Sequence, residues 1–487
     1  MAILPDPPSY ERWTRLAETG KHAAALDEVL KHLRAYPEDG RALNDAGTLL
    51  SALGRLGEAA DYLERAAGLL TDDRAQVLWN LAEVYLAADR PADAMGLFDD
   101  LAAQSLLTAD LANRTAVRFL DRGDAAGGIE AMLRSLRVSP QQSLLKPIYE
   151  RARALRPKVA ILCEAPGANF LTDIHRFLSE RFDVRVAVGQ TEVQTLDLLR
   201  WCDIAWLEWC TPQAALASRA PKTCRTIVRL HRYEAFRPWP AEVQWENIDA
   251  LVTVGNTAVL QRLRDTVPDI EARTRVVEIP NGVDLERFAF TERPRGKNLA
   301  CVAHINFWKQ QTLLLHAFHK LHTIDPGYRL FFAGPLQDDG VLASYLDLLV
   351  EELGLGDSVF FQGRQDDVAA WLEDKHYLVS GSLVEGHPVN VLEGMARGLK
   401  PVVHVFPGAR DLFPGEYLWR TLDEFCERIL AAPYEPAKYR EFVAQSYSLS
   451  GQLAKINDLF LEFEKNPVAK AATKPDGVVA VGSPETN

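Results

Sequence analysis

The chain has no Cys-x-x-Cys pair, no Asp-x-Asp, no surplus of positive charge and no unbroken apolar run of the roughly 18 residues that a spanning helix needs. Each absence excludes something. Without paired thiols, Cys163, Cys202, Cys210, Cys224, Cys301 and Cys426 read as scattered, reduced, mostly buried side chains rather than a zinc knuckle or a redox centre. A net charge of −13 argues against neutralising nucleic-acid phosphates and weakens any adsorption to anionic lipid. The start, MAILPDPPSYERW, lacks a basic region followed by an apolar block, so no secretory signal is expected. The expected compartment is the cytoplasm, and a peripheral place at the inner membrane is compatible with it.

What is present is length and repetition. At about 150 residues per domain, 487 residues suggest about three units, and a composition 47% hydrophobic and 25% charged is that of a folded chain. The segments GKHAAALDEVLKHLRAYP, GRLGEAADYLERAAGLLT, DRPADAMGLFDDLAAQSL and GDAAGGIEAMLRSLRVSP superpose with Ala25, Ala59, Ala94 and Gly128 at spacings of 34, 35 and 34. Small residues there let paired helices approach closely, while Leu16, Leu50, Tyr85 and Phe119 supply bulk in the preceding helices. Pro37 and Pro140 punctuate the repeat ends. Period and pattern resemble the tetratricopeptide repeat over residues 6–140. The resemblance implies an all-α superhelix over 1–156, including a connecting helix in QQSLLKPIYERARAL, that binds a peptide or protein partner. The alternative is that the repeats only cap the next domain or mediate self-association; such an array also permits a homodimer.

Past residue 156 the texture becomes α/β. The apolar runs KVAILCE, DVRVAVG, DIAWLEW, CRTIVRLH and DALVTVG alternate with helix-length segments, as parallel strands joined by crossovers do. This gives one Rossmann-like domain over 157–290. NLACVAH, YRLFFAG, SVFFQG, KHYLVSG and KPVVHV repeat the arrangement in a second, over 291–430, joined to the first through a short basic linker, RPRGK. Helices over 431–466 are expected to cross back to the first of these domains, and 467–487 has the composition of a disordered tail. Two such domains facing each other make a cleft, and in open parallel sheets ligands sit beyond the carboxyl ends of the strands.

One of those ends reads SLVEGHPVNVLEGMARGLKPVV. Pro388 is expected as the first helical residue, where its missing N–H costs nothing. The backbone N–H groups of Gly386, His387, Val389 and Asn390 then surround a helix start suited to phosphate. Glu385 precedes that start and Glu393 lies more than one turn inside it. One carboxylate can meet the part of a ligand ahead of the phosphates and the other the part behind. A nucleoside diphosphate sugar has that layout. The alternative is that both are solvated charges favoured near a helix amino terminus.

With IPNGVDLERF, VAHINFWKQ and VFFQG, this segment resembles the retaining glycosyltransferases of family 4, of GT-B fold, with their Glu-x7-Glu motif; the resemblance covers about 157–460. It implies that Glu393 binds the donor ribose, that Glu385 holds donor-sugar hydroxyls at the reacting centre, and that Lys309 neutralises the pyrophosphate. A cation is needed where charge develops on a departing phosphate. His231, ending IVRLH, matches a histidine that the family places near the donor sugar, and Gln362 and Gly167 fall on donor-side segments. Arg232 and Glu234 beside His231 either form an acceptor-facing loop or merely cap it. The family's arginine before the lysine is replaced by Ala303 and His304, its following glycine by Gln310, and its glycine-rich loop is reduced to Gly167. Either His304 assists the leaving phosphate only when protonated, or the donor is held differently.

The expectation is therefore a metal-independent retaining glycosyltransferase using a UDP- or GDP-linked sugar, with no permanently bound cofactor. His316, His319 and His322 drift around their helix and do not converge on a metal. The acceptor is a protein, for example a surface or flagellar protein recruited by the repeats, or else a growing surface polysaccharide or glycolipid. A non-catalytic scaffold with a degenerate transferase domain is the rival from another class.

Overall fold

A computed structural model of the protein describes residues 8–164, 169–337, 340–431 and 433–469. Gly167 and most of the expected tail lie outside the described residues. The chain divides into two compact units: Met1–Arg156 with Arg181–Asp183, and Pro157–Glu180 with Val184–Asn487.

The first unit is helical. Helices Pro8–Glu18 and His22–Ala35, Gly40–Ala52 and Leu56–Leu69, and Ala109–Asp121 and Ala125–Val138 form pairs across short turns. Each turn needs a left-handed residue, supplied by Gly20 (φ +74°), Gly54 (+74°) and Gly123 (+75°), and in the remaining pair by Asp89 (+56°). Five residues after each of them stand the small positions of the repeat, and Ala25, Ala59, Ala94 and Gly128 are all buried. A Cβ on Gly47 would lie 2.5 Å from Leu63 Cγ, so the pair Gly40–Ala52 and Leu56–Leu69 approaches as closely as the small-residue pattern requires. The pair that begins with Arg74–Ala87 departs from the pattern: its second helix is broken at Leu97 into Pro91–Gly96 and Phe98–Ala103. Leu145–Ala154 follows as the connecting helix.

The second unit contains two six-stranded sheets. The amino-terminal lobe has β1 (Lys158–Cys163), β2 (Asp183–Val188), β3 (Ile204–Glu208), β4 (Arg225–Leu230), β5 (Ala250–Thr253) and β6 (Arg275–Glu278), in the order β2-β1-β3-β4-β5-β6. The carboxyl-terminal lobe has β7 (Asn298–Val302), β8 (Arg329–Ala333), β9 (Val359–Phe361), β10 (Tyr377–Ser380), β11 (Lys400–His404) and β12 (Leu418–Trp419), in the order β9-β8-β7-β10-β11-β12. All neighbours in this second sheet are parallel. Its order reverses between β7 and β10, and such a switch point opens a crevice at the strand ends. The central strands are buried on both faces, which is why they read as continuous apolar runs. β6 and β12 were not expected: the first is a partly exposed edge strand and the second is only two residues long, so neither carries an apolar run.

The chain crosses between lobes at Asn281–Asp284 and returns at 447–449. Val283 pairs there with Ser448, its N–H bonding to Tyr447 O (2.8 Å) while Leu449 N–H bonds to Val283 O (2.9 Å). Gly282 is required because a Cβ would lie 2.5 Å from Leu449 Cα. Helix Leu449–Lys465 then packs on the amino-terminal lobe, stacking Phe460 on Trp206 at 6.2 Å. The basic linker is not a loose tether. Arg293 donates to the carbonyls of Leu372 (3.2 Å), Glu373 (3.1 Å) and Lys375 (2.5 Å), and Arg295 to those of Ile429 and Leu430, pinning it to the carboxyl-terminal lobe. Among the described residues no helix is long and apolar enough to cross a membrane. The six cysteines are buried.

Candidate functional site

The loops after β7 and β10 flank the switch point, and they bring the predicted charges together. After β7 the chain runs through His304 to a turn, Phe307–Lys309, whose N–H groups at Trp308 and Lys309 are both received by the Asn306 side chain (3.1 Å each). Gln310 follows with φ +51°, the left-handed geometry for which glycine is usual. Lys309 Nζ thereby reaches Glu385 Oε1 at 2.5 Å. The Trp308 carbonyl accepts from Leu383 N–H at 3.0 Å, locking the two loops together. Glu385 is only 8% exposed.

Helix Val389–Ala396 begins one residue later than expected, with Pro388 as its amino-terminal cap rather than its first helical residue. The N–H of Val389 is spent on the His387 carbonyl (2.9 Å). Among the described residues no protein acceptor meets those of Gly386, His387 or Asn390, so a smaller set of donors than expected faces the cleft. The Asn390 side chain is tied to the carbonyl of Val302 (2.6 Å), which joins the helix to the end of β7 instead of offering an amide to a ligand. Burial pushes the Glu393 carboxyl up to about 7 against the opposing pull of Arg287, a residue of the crossover segment that its motif did not single out. His387 is held down to about 3 by burial and by the neighbouring Arg229 and His231, so its imidazole is neutral; the ring packs edge-on to Tyr447 at 5.0 Å. His304 is exposed, and its carbonyl receives the Gln311 amide at 3.0 Å. Gln362 is exposed at the end of β9, with its side-chain oxygen occupied by the Trp371 indole (2.7 Å). Gly167 falls outside the described residues.

The amino-terminal lobe meets this site from the other side. A Cβ on Gly386 would lie 3.2 Å from Arg232 Cβ, so glycine at 386 lets the two lobes touch. The Arg232 guanidinium lies 6.0 Å from the Trp308 ring centre. His231 Nε2 pairs with Glu208 Oε1 at 2.7 Å. Glu208 also accepts from the Trp206 indole (2.8 Å) and faces Arg229 at 3.3 Å, whose other terminus binds Asn281. Burial alone would raise the Glu208 carboxyl; Arg229 and His231 outweigh it and hold it at about 2. This cluster was invisible in the sequence, because nothing in WLEWC or IVRLH shows that Glu208 and Arg229 point inward from adjacent strands. Glu234 is corrected from an acceptor-facing residue to a cap: it is wholly buried, and its carboxylate accepts from the N–H groups of His231 and Cys210 (3.2 Å each).

Parts of the chain are similar to known glycosyltransferases. Residues 283–419, which include Lys309, Glu385 and Glu393, match the family model described as glycosyl transferases group 1. A putative glycosyltransferase of Bacillus subtilis strain 168, EpsD, is 35% identical over 94 residues, 19% of this chain. That match spans 24% of the relative's length. Anabaena HepE, solved in complex with UDP, superposes with a TM-score of 0.54 at 15% identity, over 63% of this chain and all of HepE. A glycosyltransferase from Rickettsia africae does so at 0.53 and 15%, over 64% of this chain and 99% of its own. The two Rossmann-like lobes thus have the GT-B fold.

Proposed function

We propose that the protein is a retaining, nucleotide-sugar-dependent glycosyltransferase. The observation that carries this is the pairing of Lys309 with Glu385 at the β7/β10 switch point, with the half-buried Glu393 carboxyl behind the same helix start. A donor diphosphate at the start of helix Val389–Ala396 competes with Glu385 for Lys309, and the freed carboxylate turns to the donor-sugar hydroxyls. Glu393 receives the ribose hydroxyls. The acceptor oxygen attacks the anomeric carbon on the face from which the diphosphate leaves. The carbon–oxygen bond to phosphate breaks as the new one forms, and the acceptor proton passes to the departing phosphate oxygen. Lys309, the open N–H groups and His304 stabilise that charge. The UDP bound by HepE favours a UDP-linked donor over a GDP-linked one.

The helical unit, with its period and left-handed turns, is a tetratricopeptide array that recruits a protein acceptor. A second reading of the acceptor, a surface glycan, is favoured by exposed rings beside the site: Tyr233, Phe236, Phe307 and Trp308 are each more than half exposed. Thermal stabilisation by UDP, GDP, ADP, CMP and their sugar conjugates tests the proposal. A ligand at 100 times its dissociation constant adds about 2.7 kcal/mol. One nucleotide should shift the wild type and not Glu393→Ala, and its sugar conjugate should turn over in the wild type and not in Glu385→Ala. Binding without turnover for every donor supports the scaffold, and no shift by any nucleotide overturns the transferase reading and favours the scaffold.

A further inference from the structure

The Glu385 loop is held from the opposite lobe by a residue that no motif singles out. Asn256 follows β5 and caps helix Thr257–Thr266, its side-chain oxygen accepting from the N–H groups of Ala258 (2.9 Å) and Val259 (3.4 Å). Its Nδ2 crosses to the carboxyl-terminal lobe and donates to the carbonyls of Glu385 (2.8 Å) and Pro407 (3.2 Å). The four partners fix the amide's orientation, because a flipped amide would set donor against donor and acceptor against acceptor. The side chain is 3% exposed. Gly408 is shaped to admit it: a Cβ there would lie 1.9 Å from Asn256 Oδ1, in a backbone with φ +84°.

We infer that Asn256 is a positioning residue for transfer, holding the backbone of Glu385 so that its carboxylate meets Lys309 and the donor sugar. The inference rests on the transferase reading above. A backbone carbonyl fixed at 2.8 Å leaves the attached carboxylate little freedom, and a misplacement of about 1 Å at such a group can cost on the order of 100-fold in rate. The donor's nucleotide end is held elsewhere, at Glu393 and the helix start. Loss of Asn256 should therefore fall on kcat and leave donor KM nearly unchanged.

The test uses the full chain, with the donor identified by thermal shift and its turnover measured. Asn256→Asp keeps the capping oxygen and loses both donations, setting a second oxygen against two carbonyls. Its kcat should fall about 10- to 100-fold relative to wild type at pH 8 and recover part of that ratio toward pH 5, where a protonated carboxyl donates again. A residue that only capped the helix would show no such pH-dependent ratio. Gly408→Ala, which displaces the same amide, should lower kcat similarly, and its combination with Asn256→Ala should be no worse than the worse single change. Thr257→Val breaks a different contact between the lobes, with Asp411, and should leave kcat within a few-fold of wild type. Turnover in wild type with unchanged kcat in both Asn256→Asp and Gly408→Ala overturns the inference. An equal loss in Thr257→Val overturns it too, by showing that any contact between the lobes matters as much. Absence of wild-type turnover with every donor overturns the transferase reading itself.

Discussion

The two lobes of the α/β unit share an architecture and use their charges in opposite ways. In the amino-terminal lobe the ionisable residues at the strand ends are turned inward: Glu208, Arg229 and Glu234 are each no more than 1% exposed, and they bind one another, Asn281, His231 and backbone N–H groups. In the carboxyl-terminal lobe Lys309 and Glu385 meet at the switch point, and Glu393 lies in the helix that follows, its carboxylate met by no protein hydrogen bond among the described residues. One lobe consumes charge to build a frame around His231. The other leaves charge where a ligand can use it. Substitutions in the first should therefore show in stability and substitutions in the second in turnover.

The largest departure from that division would come from Arg229. Removing one partner of a buried ion pair costs about 3–5 kcal/mol, because the other is left uncompensated. Arg229→Met should accordingly lower the urea midpoint sharply, and adding Glu208→Gln should recover part of the loss by removing the stranded charge. If the double variant is as unstable as the single, the pair is not what holds the frame. Lys309→Ala should do the reverse: a fall of about 100- to 1,000-fold in kcat, worth about 3–4 kcal/mol of transition-state stabilisation, with the unfolding midpoint nearly kept. A Lys309 variant that unfolds early would erase the distinction between the lobes.

The division also sets what could be read from the sequence. Glu385 and Glu393 were legible because a glycine-proline loop opening a helix has a fixed chemical meaning, whereas Lys309, 76 positions from Glu385, was legible only through the family resemblance carried by VAHINFWKQ. Two alternating series of apolar runs announced the two sheets, and the period of 34 or 35 residues announced the helical pairs. Glu208, Arg229 and Asn256 were not legible. Their partners lie 21, 52 and 129 positions away, joined by strand order and by contact between the lobes rather than by local spacing. Glu234 was left open between acceptor and cap for the same reason, since four residues after the end of β4 a carboxylate can turn outward to substrate or back onto His231 N–H. Pro388 was misplaced by one position because proline suits both the cap and the first helical residue, and only the backbone decides between them.

A smaller effect separates the two roles within a single side chain. Glu393 titrates near 7 in the folded protein and near 4.5 when unfolded, so the folded state holds its proton longer. Stability then falls as pH rises from 4.5 to 7 and stays reduced above that range. Glu393→Gln removes this penalty, and because the residue keeps some exposure the gain in the ligand-free protein at pH 8 should be on the order of 1–2 kcal/mol. The same substitution should weaken the nucleotide-induced thermal shift, which in wild type grows between pH 6 and 8 as the carboxylate forms and accepts ribose hydroxyls. Gaining stability while losing affinity is the expected signature of a site residue. A Glu393→Gln protein that is less stable at pH 8, with an unchanged nucleotide shift, would place this carboxyl with the frame.

The smallest expected effect concerns the position where this chain departs from the glycosyltransferase pattern it resembles. His304 stands exposed after β7, five residues before Lys309, where that pattern has an arginine. His304→Arg should raise kcat by a few-fold, because a guanidinium is always charged and can hold a phosphate through two parallel N–H groups. Because the residue is exposed, stability should change by less than about 0.5 kcal/mol, which keeps the readout on chemistry. A gain of that size would mean that a second fixed cation beside Lys309 is what the histidine lacks. No gain would mean that Lys309 and the open N–H groups of Gly386, His387 and Asn390 already carry the departing charge, and that the carboxyl-terminal lobe completes its cation site without a second side chain.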